Sequence, residues 1–96
     1  MSFSTHVLDT SKGLAVAGVP VRLETPAGTH EGVTDDDGRW RLDAPLRAGR
    51  HRLVLQTAFA SDFFPEVGVV FVVADDRHHH VPLLLSPFGY STYRGS

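Results

Sequence analysis

The chain has 96 residues, of which 42% are hydrophobic and 21% are charged, a composition typical of one small globular domain. Its 9 Lys and Arg residues are balanced by 11 Asp and Glu residues, so the basic surface of a nucleic-acid-binding protein is not expected. The lack of Cys excludes disulfide bonds and zinc–thiolate sites. No stretch is apolar for long enough to span a bilayer and no signal peptide is visible, so we expect a cytoplasmic protein without membrane contacts.

The spacing of apolar residues predicts an all-β fold. Runs rich in Val, Thr, Leu and Phe alternate with turn residues, as in a β-sandwich, and no window keeps apolar residues at helical spacing. Residues 58–62 have room for a single helical turn at most. We assign eight strands, to residues 3–9, 19–25, 29–34, 39–42, 51–57, 67–73, 81–85 and a short run beyond Pro87.

Alternation along the first and the penultimate strand indicates which side chains face the core. Phe3 and Val7 share one face of the first strand, and His6 lies on the other. His80 likewise lies opposite Val81 at the start of the penultimate strand. If the two strands are neighbours and their apolar sides pack in the core, His6 and His80 emerge on the outer face of one sheet.

Three other segments predict a sheet edge, a turn and a strand whose outer face is covered. Residues 29–34 form a short polar strand, which is expected at a sheet edge. The segment Asp35-Asp36-Asp37-Gly38 predicts a turn, and its Asp-Gly pair is typical of a β-hairpin. It lacks the alternating carboxylates and the later Glu of a calcium loop. Residues 67–73 are apolar on both faces, which indicates that a partner subunit or a loop covers the outer face.

The run His78-His79-His80 suggests a metal site when it is read alone. Consecutive strand residues point to opposite faces, however, so three adjacent imidazoles do not readily hold one ion. We therefore expect no metal and no other cofactor. His78 and His79 precede the assigned strand, and we expect both in solvent or in indirect contact with the site.

Four separated motifs follow one another along the chain. They are His6-Val7-Leu8-Asp9 with Gly18-Val19-Pro20-Val21 after it, Asp37-Gly38-Arg39, Phe63-Phe64-Pro65-Glu66-Val67, and residues 78–96, which close on Tyr93-Arg94-Gly95-Ser96. With these motifs the chain resembles, over essentially its whole length, the 5-hydroxyisourate hydrolases, the transthyretin-like enzymes of urate degradation.

The resemblance implies a fold and an assembly. It implies a transthyretin-like (prealbumin-like) β-sandwich of two four-stranded sheets, with residues 1–96 forming a single domain. It also implies a homotetramer, a dimer of dimers with active sites in the channel between dimers. The segment from Thr57 to Phe63 is shorter than in the family, so the family's short helix is expected to be truncated or absent. This shortening bears on stability and assembly more than on chemistry.

The resemblance also implies an activity, the metal-independent hydrolysis of 5-hydroxyisourate to 2-oxo-4-hydroxy-4-carboxy-5-ureidoimidazoline. The catalytic residues that it implies are His6, Arg39, His80 and Ser96. The same four residues, together with Tyr93, are expected to contact the substrate.

The residue types suit such a reaction. No Cys and no Gly-x-Ser-x-Gly motif offers a covalent nucleophile, and His is the natural base for activating water near neutral pH. Arg39 presents a planar fork of donors, which can bind the adjacent acceptors of a urate-like ring and stabilise charge on a carbonyl oxygen. An imidazole beside this cation is kept neutral. Whether His6 or His80 is the base stays open.

Two other functions are compatible with parts of the sequence. A non-enzymatic transthyretin-like carrier would bind a small aromatic ligand in the same fold. Such carriers lack the combination of His6, Arg39, His80 and a Tyr-Arg-Gly-Ser segment. A metal-binding module would rest on the histidine run, and an activity that is insensitive to chelators would argue against it.

Overall fold

The computed structural model describes residues 2–95, which form nine β-strands. In chain order the strands are β1 (Phe3–Asp9), β2 (Leu14–Ala15), β3 (Pro20–Thr25), β4 (Gly28–Val33), β5 (Arg39–Leu42), β6 (Gly49–Gln56), β7 (Glu66–Val73), β8 (His79–Ser86) and β9 (Gly89–Thr92). This part of the chain contains no helix, hence none with the length and apolarity needed to cross a membrane.

The strands form two sheets, which confirms the predicted sandwich. The first sheet has the order β2-β1-β8-β9, and β5 also pairs with β1. The second sheet has the order β4-β3-β6-β7. The polar strand β4 lies at the edge of its sheet, as its composition predicts.

Strand β1 is the centre of the first sheet. It pairs in parallel with β8 along its whole length, from Phe3 opposite His79 to Asp9 opposite Leu85. Its other edge is shared, because β5 pairs with the first half of the strand and β2 with its last two residues. Segments from the start, the middle and the end of the chain therefore lie side by side.

The core lies between the two sheets and holds β1 and β8 in place. Phe3 and Val7 of β1, Leu23 of β3 and Leu53 of β6 have no exposed surface, and Leu83 of β8 has 1%. Burial of one such side chain stabilises the fold by about 1.5–3 kcal/mol. This packing holds the backbones of β1 and β8 in place. It therefore also positions the side chains on the outer faces of both strands.

Two local assignments differ from the structure. Strand β2 lies between the first two assigned strands, where no strand was expected, and its pairing with β1 gives the first sheet a fifth strand. The hairpin prediction for residues 35–38 is wrong, because β4 belongs to the second sheet and β5 to the first. An Asp-Gly pair favours a local reversal of the chain, but it does not decide which sheet the next strand joins.

The outer face of β7 is uncovered in a single chain. Val70 and Val72 are 52% and 65% exposed, so the alternative that a loop lies over this face is wrong. The other alternative, a partner subunit, stays a prediction.

A short turn takes the place of the helix that is missing between Thr57 and Phe63. The backbone amides of Ala60 and Ser61 donate to the carbonyl oxygen of Thr57 over 3.0 and 2.9 Å. The amide of Thr57 donates to the carbonyl of Pro65, which closes the loop at its base. The expectation of at most one helical turn is confirmed.

Candidate active site

The pairing of three strands places the motif residues on one face of the first sheet. Ser4 of β1 lies opposite His80 of β8, and His6 lies opposite Arg39 of β5. Paired residues point to the same face of a sheet, and the burial of Phe3 and Val7 shows that this face is the outer one. The expectation that His6 and His80 share the outer face is therefore confirmed, and Arg39 joins them.

The loop before β5 fixes the backbone of Arg39. The Oδ1 atom of Asp35 accepts hydrogen bonds from the amides of Asp37 and Arg39 over 2.9 and 3.0 Å. Gly38 has a φ of +74°, and a Cβ there would lie 2.6 Å from the carbonyl oxygen of Val7. Glycine therefore lets the loop pass close to β1 and deliver Arg39 beside His6.

Arg39 and His80 line the same cleft. The cleft has a volume of about 450 Å³ and is lined by Ser4, Thr5, Asp35, Arg39, Trp40, Arg41 and His80. Arg41 is paired with Asp43 over 2.6 Å, whereas Arg39 forms no ion pair within residues 2–95. The guanidinium of Arg39 is thus the group available to an anionic or carbonyl-rich ligand.

The surroundings of His80 favour its neutral form. Its Nδ1 atom is hydrogen-bonded to the Ser4 hydroxyl over 2.7 Å, which leaves Nε2 as the ring nitrogen for the cleft. Partial burial lowers the pKa of His80, and the positive charges that His6 and His78 can carry lower it further. Lowering the pKa favours the neutral imidazole near neutral pH, which is the form that acts as a base.

His6 lies beside the cleft rather than in its lining. Its Nε2 atom donates a hydrogen bond to the carbonyl oxygen of Asp37 over 2.8 Å. A carbonyl accepts only, so a neutral His6 carries its proton on Nε2 and presents Nδ1 as an acceptor. His6 therefore ties β1 to the loop that positions Arg39.

The terminal segment runs directly over His80. The amide of Gly95 donates to the carbonyl oxygen of His80 over 2.8 Å, and a Cβ at Gly95 would lie 2.4 Å from Cδ2 of the His80 ring. Arg94 lies 3.3 Å from Asp75 and anchors the same segment. Ser96 follows Gly95 in the sequence but lies outside the described residues, so its assignment stays a prediction.

Tyr93 lines a different cleft. It is 57% exposed and borders a cleft of about 140 Å³ between the sheets, together with Phe71 and the buried His79. The structure of one chain therefore brings Arg39 and His80 together but does not bring Tyr93 to them. The substrate contact expected for Tyr93 rests on the resemblance alone.

The structure differs from the sequence-based expectation at two neighbours of the site. His79 is 3% exposed and faces the core near Phe71, so of the two placements expected for it, in solvent or in indirect contact with the site, the first is wrong. Strand β8 begins at His79, and strict alternation back from Val81 would have placed this side chain inward. Ser4 was not singled out, although its position opposite His80 makes it a direct partner of the catalytic candidate.

Comparison with known proteins identifies the family. The profile of the HIUase/Transthyretin family matches residues 3–95. The chain belongs to this family. Among its relatives is the 5-hydroxyisourate hydrolase of Salmonella dublin, which is 42% identical over 108 residues that cover 97% of this chain and 79% of that protein. The uric acid degradation bifunctional protein TTL of Arabidopsis thaliana is 43% identical over 118 residues, and this match spans 97% of the chain but 36% of that longer protein.

A solved structure shows the same fold. The 5-hydroxyisourate hydrolase of Klebsiella pneumoniae superposes with a TM-score of 0.87 at 39% identity, with 100% of both chains covered. The transthyretin-like sandwich is thus the architecture of this family member, with one sheet enlarged by the short strand β2.

The geometry of the site supports hydrolysis by activated water. An imidazole with a lowered pKa and a guanidinium without an ion pair inside residues 2–95 line one cleft. Hydrogen bonds hold the imidazole of His80 and the backbone amide of Arg39. A base and a cation in this arrangement can deprotonate water while stabilising charge on the attacked carbonyl oxygen. Within residues 2–95 no group of three His, Asp or Glu side chains is arranged to hold a metal ion.

Proposed function

We propose that this chain is a 5-hydroxyisourate hydrolase of urate degradation, which opens its substrate to 2-oxo-4-hydroxy-4-carboxy-5-ureidoimidazoline without a metal ion. The observation that carries the proposal is the cleft shared by His80, whose pKa is lowered, and Arg39, which has no ion pair among residues 2–95, in a family whose relatives include enzymes of this name. We also propose that the protein forms a homotetramer and is located in the cytoplasm.

The proposed reaction uses His80 first as a base and then as an acid, and Arg39 as the group that binds the ring. Nε2 of His80 takes a proton from water as the water oxygen bonds to a ring carbonyl carbon. Arg39 binds the ring and stabilises the negative charge that moves onto the carbonyl oxygen. When the tetrahedral intermediate collapses, the carbon–nitrogen bond breaks, and His80 returns its proton to the departing nitrogen. The product carries the new carboxyl group, and the side chains end in their starting states.

His6 and Ser96 complete the proposed site. His6 holds the loop before Arg39 through Asp37 and leaves Nδ1 as an acceptor beside the cleft. Ser96 follows Gly95, which lies against the His80 ring, and the family resemblance supports its contact with substrate. Tyr93 retains its proposed substrate contact on the resemblance alone.

The uncovered surfaces of the chain favour the proposed homotetramer. Strand β7 ends the second sheet and β9 ends one side of the first, so each presents an edge without a neighbouring strand among the described residues. Val70 and Val72 add an exposed apolar face to β7. Unpaired edges and apolar faces of this kind are usually covered in stable assemblies.

The two alternative functions have less support. A carrier of small aromatic ligands needs neither a base nor an unpaired cation, and the relatives reported above bear the names of degradative enzymes. A metal module on the histidine run is disfavoured because the ring of His79 faces the core, away from the rings of His78 and His80.

The ultraviolet decay of freshly generated 5-hydroxyisourate tests the proposal. We expect the purified protein to accelerate the decay well above the spontaneous rate, and dialysis against a chelator to leave the acceleration unchanged. A decay equal to that in buffer alone would overturn the proposed activity. A loss of acceleration on chelation, restored by a divalent metal, would overturn its metal independence.

A further inference from the structure

A chain of hydrogen bonds leads from the surface of the protein to His80. The Ser2 hydroxyl is bonded to Nδ1 of His78, and Nε2 of His78 is bonded to the Ser4 hydroxyl over 2.7 Å. The Ser4 hydroxyl is in turn bonded to Nδ1 of His80 over 2.7 Å. We call these four side chains the serine–histidine chain. His78 is exposed and His80 lines the cleft, so the chain connects solvent with the proposed base.

The Ser4 hydroxyl couples the tautomers of the two imidazoles. A hydroxyl has a single proton to donate, yet it bonds to one ring nitrogen of His78 and to one of His80. The hydroxyl forms no other side-chain hydrogen bond within residues 2–95, so when both rings are neutral its proton has an acceptor only if one of these nitrogens accepts from Ser4 while the other donates to it. In this fully bonded arrangement, a change of tautomer at one ring requires the opposite change at the other.

The serine–histidine chain consequently has two polarities. In one, Nδ1 of His80 donates to Ser4, Ser4 donates to Nε2 of His78, and Nε2 of His80 is bare and able to accept a proton. In the other, Nε2 of His78 donates to Ser4, and Ser4 donates to Nδ1 of His80. Nε2 of His80 then carries a proton that it can donate. The first polarity lets Nε2 accept a proton from water, and the second is the state that His80 reaches if, after accepting that proton, it passes its Nδ1 proton to Ser4.

We propose that His78 is a positioning residue that acts through Ser4 to set the tautomer of His80 and to exchange its proton with solvent. The inference rests on the proposed function of His80 as the base. It assigns a role to His78, which neither lines the cleft nor lies within strand β8. His78 touches no reacting atom, because Ser4 stands between it and His80.

Charged groups around the serine–histidine chain bear on its protonation. Those acting on His78 and His80 are His6 on β1, Arg39 and Arg41 on β5, Asp43 after β5 and His79 on β8, while Arg77 and Arg94 border the surface near His78. Burial lowers the pKa of His78, and Arg41 lowers it further. Both shifts favour the neutral imidazoles near neutral pH, which is the condition under which Ser4 couples them, while both rings can gain a proton as the pH falls.

The test compares His78→Phe with the wild-type protein, with His30→Phe as the matched control. His30 is a half-buried histidine on β4 in the other sheet and lies outside the cleft. A positioned proton-transfer group contributes about 10²–10⁴-fold to a rate, and we expect loss of its positioning partner to lower kcat about 10-fold with little change in KM. Ser4→Ala should have the same effect, and Ser4→Thr, which keeps the hydroxyl, should restore most of the rate.

Two further readouts separate a relay from a merely structural role. The acid limb of the kcat profile should move to higher pH in His78→Phe, because a positive charge that disfavours protonation of His80 is removed. In mixtures of light and heavy water, kcat of the wild-type protein should depend on the deuterium fraction with curvature, and that of His78→Phe linearly. A His78→Phe protein with wild-type kcat, acid limb and curvature would overturn the inference.

A substrate-free measurement keeps this inference distinct from the proposed function. Imidazole ¹⁵N chemical shifts report tautomers, and we expect those of His80 to change in Ser4→Ala and His78→Phe but not in His30→Phe. Unchanged His80 shifts in all three variants would overturn the coupling. Changed shifts in a wild-type protein that does not accelerate 5-hydroxyisourate decay would overturn the proposed function while leaving the coupling in place.

Discussion

At the scale of single residues, the site depends on keeping one imidazole neutral. His80 is half-buried, lies near two other imidazoles and shares its cleft with the guanidinium of Arg39. Burial and positive neighbours disfavour the imidazolium, and a hydrogen bond with the backbone of Ser4 opposes them. The surroundings of His80 thus favour a base over an acid at rest.

The pH dependence of kcat/KM should report this environment. Because the pKa of His80 is lowered in the folded protein, the neutral form persists below the ordinary histidine pKa of about 6.5. Activity should therefore be retained as pH falls through 6.5 and be lost only as it falls through the lower pKa of His80. An acid limb with its midpoint above the ordinary value would contradict the assignment of His80 as a neutral base.

Residue-level patterns determined which site residues could be foreseen. Alternation along β1 and β8 was sufficient to place His6 and His80 on outer faces. The bond between Ser4 and His80 joins residues 76 positions apart and depends on the parallel register of the two strands. No local pattern in the sequence encodes that register, so the hydrogen bonds of Ser4 with His78 and His80 became visible only in the structure.

At the scale of elements, the segment after β9 closes the site. It crosses the His80 ring at Gly95, where the amide also bonds to the His80 carbonyl. Upstream, Arg94 is held by Asp75, and the hydrogen bonds of Arg77 and Arg94 hold the pKa of that carboxyl far below its usual range. Asp75 therefore stays ionised near neutral pH, and the anchoring charge persists.

We expect Gly95→Ala to impair catalysis more than stability. The added methyl group would collide with the His80 ring, and misplacement of a catalytic group by about 1 Å can lower a rate about 10²-fold. Gly89→Ala is the matched control, because its Cβ would meet only Ser86 Oγ at 3.4 Å. The measurements are kcat/KM and the thermal midpoint of unfolding, and we expect Gly95→Ala to lower the first more than the second. Equal activity of the two variants would show that Gly95 does not set the position of His80.

The elements also show where local patterns stop predicting a fold. Strand β1 matches its assignment residue for residue, because its alternating apolar and polar side chains reflect one buried face. Strand β2 was missed because its two residues are both exposed and become a strand only through pairing with β1. The turn at residues 35–38 was recognised, but the partners of its flanking strands depend on packing of the whole sandwich.

At the scale of the whole molecule, the pairing of the strands brings the site residues together. His6 comes from the first strand, Arg39 from the start of β5 and His80 from the penultimate strand. The parallel pairing of β1 with β8 and the antiparallel pairing of β1 with β5 bring the three together on a face that the core holds rigid. The motifs were visible along the chain, and the fold explains why residues so far apart in sequence act at one place.

The central claim is that His80 is the base of a 5-hydroxyisourate hydrolase, and its direct test is kcat/KM of His80→Ala beside His30→Ala. We expect His80→Ala to lose about 10²–10⁴-fold, the usual contribution of a general base, while His30→Ala keeps the wild-type value. Circular dichroism and thermal unfolding would establish that both variants are folded. A folded His80→Ala protein that hydrolyses 5-hydroxyisourate at the wild-type rate would contradict the account.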